Sequence, residues 1–282
     1  MSPNRTANNL LDVKKIAVIA GRGWLPKHVL EGCIEKGIGC EIIAIEDQFS
    51  KEIFEGKSYY TFPMHAIGKI INKIKSLGIK HIVLAGTVKR AGITKLLLDL
   101  KGAKLLTMIM KAGLNDDAIL RTVIAFLESE GFTIIPPEKL ATSIIVQSGL
   151  LTKTKPNPAA FADIKKGTEI LKAVANFDVG QALVIQNGLV LGVEAAEGTD
   201  ELIRRCGLIQ QKDEEMCILI KICKPNQDKR IDLPCIGQET IKNLYRYNFK
   251  GVALEAGSAL ILNKEETLAE ADKLGIFIYG IS

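Results

Sequence analysis

Histidine is nearly absent from this chain of 282 residues: three occur, at positions 28, 65 and 81, and none in the second half. A histidine-rich metal site there is excluded, and a metal bound near residues 221–237 is expected to take oxygen ligands, which favours magnesium or manganese over zinc. The six cysteines, at 33, 40, 206, 217, 223 and 235, show neither paired CxxC spacing nor disulfide-rich density. They read as reduced core thiols, with Cys235 set apart as a candidate reactive thiol because it lies inside a charged loop. Aromatic residues make up only 5% of the chain, and no basic stripe interleaved with aromatics, RNP-like signal or helix-turn-helix pattern points to nucleic acid. No uninterrupted apolar run approaches the roughly 18 residues that a membrane span needs, which confines any membrane contact to the periphery. Met1 to Asp12 contains one basic residue, Arg5, and lacks the apolar h-region of a secretory signal. It reads as a flexible leader, and a cytoplasmic location is the expectation.

What is present fits a globular protein with a substantial core: 47% of residues are apolar and 24% charged. The length exceeds the usual single domain, and composition places a leader over residues 1–14, a first domain over 15–148, a linker over 149–158 and a second domain over 159–282. The linker is read from Lys153, Lys155, Pro156, Asn157 and Pro158. The net charge of +5 is spread over Lys-rich helical faces around Lys69 to Lys80 and Lys101 to Lys111. That leaves room for weak attraction to anionic lipid headgroups.

The first half alternates strand and helix patterns. Lys15 to Ala20, Cys40 to Ile45, His81 to Ala85 and Gly131 to Ile135 are short apolar, β-branched runs. Between the first two, Pro26 sits in the opening turn of a helix whose Val29, Leu30, Cys33 and Ile34 share a face; Ile67 to Leu77 is a second amphipathic helix. Further helices are expected over Lys95 to Leu100 and Lys104 to Glu130, the latter broken near Gly113. This βαβ order predicts a parallel sheet. In the second half, a helix covers Phe161 to Ala175. Gln181–Gln186 and Leu189–Glu194 then flank Asn187-Gly188, a strong hairpin signal. A helix follows with Thr199 or Asp200 as its N-cap. Later come a helix over Gln238 to Tyr247, strands near Val252 and Leu260, a helix over Lys264 to Leu274 and a last strand over Gly275 to Tyr279. No internal repeat is evident.

The densest chemical signal is Lys221-Ile-Cys-Lys-Pro-Asn-Gln-Asp-Lys-Arg-Ile-Asp-Leu-Pro-Cys-Ile-Gly237. Four cations and two carboxylates crowd a segment led by the apolar run Met216 to Ile222. Such charges are either solvated surface or, at the end of a buried strand, a site. Phosphate chemistry uses both signs, cations to neutralise phosphoryl oxygens and carboxylates to hold a divalent metal or take a proton from water. Upstream, Glu194, Glu197 and Asp200 cluster after the hairpin, with Arg204 and Arg205 one helical turn on. Adjacent to the loop, they would make an acidic metal nest rimmed by Lys221, Lys224, Arg204 and Arg230. Gly21-x-Gly23, between a strand and a helix, is either a plain tight turn or half of a dinucleotide fingerprint. Gly86-Thr87-Val88-Lys89-Arg90 is either a basic surface loop or a phosphate contact. Asn115-Asp116-Asp117 is either a helix cap or part of a site.

Six motifs in register lift the ambiguity. Ile19-Ala-Gly21-Arg-Gly23-x-Leu25-Pro26, Ala85-Gly86-x-Val88, Asp116-Asp117-Ala-x-Leu120-Arg121, Asp178-Val-Gly180-Gln181, Val193-Glu194-Ala-x-Glu197-Gly198-Thr199-Asp200 and Lys224-Pro225-x-Gln227-x-x-Arg230-x-Asp232-Leu233-Pro234-x-Ile236-Gly237 together resemble the UDP-2,3-diacylglucosamine pyrophosphatases of the non-calcineurin type in lipid A biosynthesis. The resemblance runs in order from about Lys15 to Ile281. It implies an α/β fold in which a Rossmann-like, parallel-sheet nucleotide-binding domain joins a mixed-sheet domain holding the hydrolytic site and acyl-sugar pocket. It also implies magnesium-dependent hydrolysis of UDP-2,3-diacylglucosamine at the cytoplasmic face of the inner membrane. Asp232 matches the family's essential aspartate and is expected to bind magnesium, with Glu194 and Glu197, or to orient water. Gln227, Lys224, Arg230, Thr199 and Asp200 join it as expected catalytic residues. Gly21, Arg22, Gly23, Gly86, Thr87, Asp117, Gln181, Arg204 and Lys221 are expected to bind substrate. Asp228 ranks below Asp232. The residue patterns taken without the resemblance leave open a nicotinamide-dependent oxidoreductase or a nonenzymatic nucleotide-binding regulator; a homodimer is the default expectation for a soluble enzyme.

Overall fold

Strand β1 (Lys15–Ala20) is apolar on both faces, and Ile16, Ala17 and Val18 are wholly buried. Such a strand belongs inside a sheet covered on two sides. In the computed structural model, which describes residues 10–88, 96, 99–113, 116–175, 177, 179–211, 213–224 and 233–282, it is the middle strand of five. The other elements of this part are α1 (Leu25–Glu35), β2 (Gly39–Ile45), β3 (Tyr59–Phe62), α2 (Ile67–Ser76), β4 (His81–Ala85), α3 (Leu100–Ala112), α4 (Asp116–Ser129) and β5 (Thr133–Ile134). The sheet order is β3-β2-β1-β4-β5 and every pairing is parallel, as the alternating pattern implies. The winding reverses between β1 and β4, which opens a crevice at their carboxyl ends.

Local readings fare unevenly in this part. Gly113 separates α3 from α4, as expected. β3 has no counterpart in the sequence reading, and Ile34, read as inward, is 59% exposed. Gly32 takes the inner position of α1, where a Cβ would stand 2.1 Å from the Leu140 carbonyl oxygen. Helix α3 starts at Leu100 because the Asp99 carboxylate accepts from the amides of Lys101 and Gly102 and, across to α2, from that of Gly68. Burial pushes that carboxyl up, but the three amides outweigh it and hold it below its ordinary value. Of the expected helix over Lys95 to Leu100, positions 95, 97 and 98 lie outside the described residues.

Glu130, just past α4, accepts from Lys101 of α3 and Lys75 of α2 and so ties three helices together. The Lys101 hydrogen bond, then that of Lys75, holds its carboxyl below the ordinary range despite partial burial. A carboxyl depressed in the folded state contributes stability above its unfolded pKa and loses it as pH falls through the folded value. Glu130→Gln should therefore cost roughly 1 kcal/mol or less at neutral pH and flatten the acid limb of a stability–pH curve. Denaturant titrations between neutral and strongly acidic pH would show this, and an unchanged limb would contradict it.

The chain divides into two compact units between Thr142 and Ser143. The second comprises β6 (Gly149–Leu150), α5 (Pro158–Ala175), β7 (Ala182–Gln186), β8 (Leu189–Val193), α6 (Thr199–Ile209), β9 (Ile218–Lys221), β10 (Cys235–Ile236), α7 (Gln238–Arg246), β11 (Gly251–Glu255), β12 (Leu260–Ile261), α8 (Lys264–Leu274) and β13 (Phe277–Ile281). A mixed sheet runs β6-β13-β11-β9-β7-β8, with β9, β11 and β13 parallel, and β10 pairs with β12 in a small parallel sheet of its own. Alternate residues face opposite layers. Leu183, Ile185, Ile218, Ile220 and Phe277 pack with α5, whereas Ala182, Val184, Leu219, Val252 and Leu254 pack with α6, α7 and α8.

The hairpin stands where Asn187-Gly188 puts it. Both residues take positive φ, 46° and 77°, as a two-residue turn matched to strand twist requires. Residues 149–158 are not a linker throughout: Gly149 and Leu150 form β6 against β13, and Pro158 already begins α5.

Candidate functional site

β9 and β11 are parallel and release their carboxyl ends at one edge of the second sheet. β7 runs the other way, so its first residue, Ala182, lies opposite Lys221 in β9. Gln181, Glu194, Lys221 and Glu255 therefore converge on one edge, the common location of sites in open α/β sheets. Lys221 shares its face with Leu219 and Leu254, under α6 and α7, and is only 4% exposed. Its ammonium donates to Thr199 Oγ1 at 3.0 Å and to the Cys235 carbonyl at 3.3 Å. The Thr199 hydroxyl donates in turn to Glu194 Oε1 at 2.6 Å, and Glu194 Oε2 accepts from the Gln181 amide at 3.1 Å. Glu194 itself is buried, and Gln181 Oε1 is buried with no hydrogen-bond partner among the described residues.

Four residues singled out for three different roles, Gln181, Glu194, Thr199 and Lys221, thus form one chain of hydrogen bonds. The expected adjacency of the 194–200 and 221–237 segments holds through the 3.0 Å Lys221–Thr199 contact. Both limbs of the charged loop reach this edge: Lys221 to Lys224 leave it, Lys224 being half-buried, and Leu233 to Cys235 return to it. Asp228 and the expected site residues Gln227, Arg230 and Asp232 lie outside the described residues. The sequence reading missed Glu255, whose carboxylate accepts from the Cys223 amide at 2.8 Å. Its signal was available, since it ends the apolar strand Gly251 to Leu254 just as Lys221 ends β9.

Other expected members are turned elsewhere. Thr199 does not cap α6: Gly198 holds the N-cap position, and the Thr199 hydroxyl serves Glu194 instead. Asp200 accepts from Asn243 at 3.2 Å, and Arg204 bonds Glu201 on its own helix. Glu197 accepts from Arg205 at 3.0 Å, and its own backbone amide, followed by Arg205, holds its carboxyl below the ordinary range. The acidic nest is not formed by its described members. Each Glu194 oxygen takes an internal donor, Glu197 takes a guanidinium, and no three His, Cys, Asp or Glu side chains among the described residues group to hold a metal. Glu194 and Glu197 thus do not fit as ready magnesium ligands. The six cysteines are all thiols, and burial raises those of Cys206 and Cys217. Cys235, the exposed one, enters the site through its carbonyl.

In the first unit, Gly21, Arg22 and Gly23 leave β1 beside Gly86 and Thr87, which leave β4. The two segments bond each other, Arg22 and Thr87 exchanging amide and carbonyl at 2.9 Å in both directions. A Cβ at Gly21 would stand 2.6 Å from the Thr87 carbonyl oxygen, and one at Gly86 2.5 Å from that of Arg22. These glycines therefore let two chain segments meet, and the amides of Arg22 and Thr87 are already used. The Arg22 guanidinium donates to the Asp47 carbonyl at 2.7 Å, bridging the ends of β1 and β2. Asp117 lies in the first turn of α4, its side chain outside the described residues.

Comparison with known proteins follows the two-unit division. The family profile described as the LpxI N-terminal domain matches residues 15–144, and that of the LpxI C-terminal domain matches residues 147–279. The UDP-2,3-diacylglucosamine pyrophosphatase LpxI of Caulobacter vibrioides is 32% identical over 280 residues, covering 95% of this chain and 98% of that protein. Solved structures give weaker likenesses. The Bordetella bronchiseptica enzyme WbmG in complex with NAD and UDP is 12% identical, with a TM-score of 0.28 over 42% of this chain and 34% of that one. The Thermus thermophilus UDP-glucose 4-epimerase complex with NAD is 11% identical, with a TM-score of 0.29 over 51% and 41%. Likenesses at that level carry no functional argument.

Proposed function

Because the chain belongs to the LpxI family over both of that family's domains, we propose that it hydrolyses the pyrophosphate of UDP-2,3-diacylglucosamine to UMP and 2,3-diacylglucosamine 1-phosphate, a step of lipid A biosynthesis. The observation that carries this reading is the 32% identity along 95% of the chain to a UDP-2,3-diacylglucosamine pyrophosphatase. The second sheet's edge supports it, since a buried cation, hydroxyl and carboxylate meet there at both limbs of the charged loop. In the proposed reaction a water oxygen bonds to one phosphorus, the bridging P–O bond breaks, and the bridging oxygen leaves with the other phosphate. Asp232 is the residue assigned to orienting that water or holding magnesium. The crevice of Gly21 to Gly23 and Gly86 is the proposed receptor for the uridine end.

Magnesium belongs to the proposal on the strength of the family resemblance and Asp232, with no contribution from Glu194 or Glu197. When bound, it would polarise phosphoryl oxygens. A diacylated substrate supports work at the cytoplasmic face of the inner membrane with peripheral contact; no helix among the described residues is long and apolar enough to cross a membrane. Incubation with UDP-2,3-diacylglucosamine, magnesium and detergent should release UMP, and no release across metals and detergents would reject the reading. Chelation should stop the release and added magnesium restore it; full activity in chelator removes magnesium from the scheme.

A further inference from the structure

Among the described residues the Lys221 ammonium is a charge without a counter-charge. It is 4% exposed, and among the described residues it makes no ion pair and donates to only two acceptors, Thr199 Oγ1 and the Cys235 carbonyl. An ammonium carries three N–H groups, so one donor is left inside the protein. Burying a cation in that condition is costly. The surroundings deepen the cost. Thr199 is the first residue of α6 and Cys235 lies just before α7, so the cation stands by the positive ends of two helix dipoles. The acidic side chains opening those helices face other partners: Asp200 meets Asn243, Glu201 meets Arg204, and Glu239 meets Lys242. Glu194 reaches the ammonium only through the Thr199 hydroxyl.

Two helix N-termini and a desolvated ammonium with a spare donor are the components of an oxyanion receptor. We propose that Lys221, oriented by Thr199 and the Cys235 carbonyl, binds a phosphoryl oxyanion at this sheet edge, and that Glu194 is the positioning residue that fixes Thr199. This rests on the hydrolase reading for the identity of the substrate, with the oxyanion being its phosphoryl group. The unpartnered Gln181 Oε1 adds an acceptor on the same chain of contacts, suited to a sugar hydroxyl. Glu194 thus serves the resident cation in place of the metal expected from its sequence context.

Inorganic phosphate is the probe, titrated into the full chain and followed by phosphorus NMR and by melting temperature, with UMP release measured in parallel. The unsubstituted protein should bind phosphate and be stabilised by it. Lys221→Met should weaken binding at least about tenfold and raise the KM for UMP release, since a charged hydrogen bond accounts for that factor. Lys242→Ala, in an exposed pair with Glu239, should bind like the unsubstituted protein. If Lys221→Met does not fold, the shape-preserving Thr199→Val carries the test: it should lose several-fold affinity, and Thr199→Ser should recover it. Phosphate affinity unchanged in Lys221→Met, or in Thr199→Val, overturns the receptor, as does absence of phosphate binding by the unsubstituted protein. Binding through Lys221 without UMP release would uphold the receptor and overturn the hydrolase reading. UMP release with Lys221-independent phosphate binding would do the reverse.

Discussion

Asp232→Ala protein is expected to release UMP from UDP-2,3-diacylglucosamine at about one hundredth of the unsubstituted rate or less, because losing one group that stabilises transition-state charge or orients the nucleophile typically costs that much. Stability should stay within about 0.5 kcal/mol. The proposed assignment draws on the motif resemblance, which implies an essential aspartate at position 232, and on two observations. Asp232 adjoins Leu233, which is buried, and the described limbs on either side of it meet the Lys221 network. Steady-state UMP release with matched thermal melts decides the matter, and activity within tenfold of the unsubstituted protein would remove Asp232 from the chemistry. Asp228→Ala, four residues earlier in the loop, is the companion variant and should lose far less.

Gly180→Ala should lower both stability and turnover. A Cβ at position 180 would lie 2.0 Å from the Glu194 carbonyl oxygen and 2.7 Å from its carbonyl carbon. Both atoms are backbone, so no rotamer change relieves the overlap and the chain at Glu194 must move. That movement costs roughly 1–3 kcal/mol as overpacking, or several degrees in melting temperature. It also acts on the site, because Glu194 holds the Thr199 hydroxyl at 2.6 Å and the Gln181 amide at 3.1 Å. Calorimetry and UMP release on the same preparation test both halves. An unchanged melting temperature would contradict the steric argument, and a destabilised protein with full turnover would separate Glu194 from the function.

What could be read before folding was local or cumulative. Asn187-Gly188 specified its hairpin because a tight turn with positive φ at both positions selects those residue types. The alternation of apolar runs and amphipathic helices implied a parallel first sheet, since parallel neighbours need a crossover between them. The charged segment after β9 was recognisable because polar residues abruptly follow a run that must be buried.

Long-range pairing decided the rest. β6 was hidden in an apparent linker because its partner, β13, lies more than a hundred residues away, and two residues carry no periodicity of their own. Glu194, Glu197 and Asp200 look like one acidic cluster in the sequence. The register of β7 on β8 and the start of α6 send Glu194 to Thr199, while Arg205 and Asn243 take the other two. The sequence by itself determined that a cation ends β9. Only the packing of α6 and α7 over that face of the sheet buries Lys221, because the burial of one side chain depends on elements that the chain supplies before and after it.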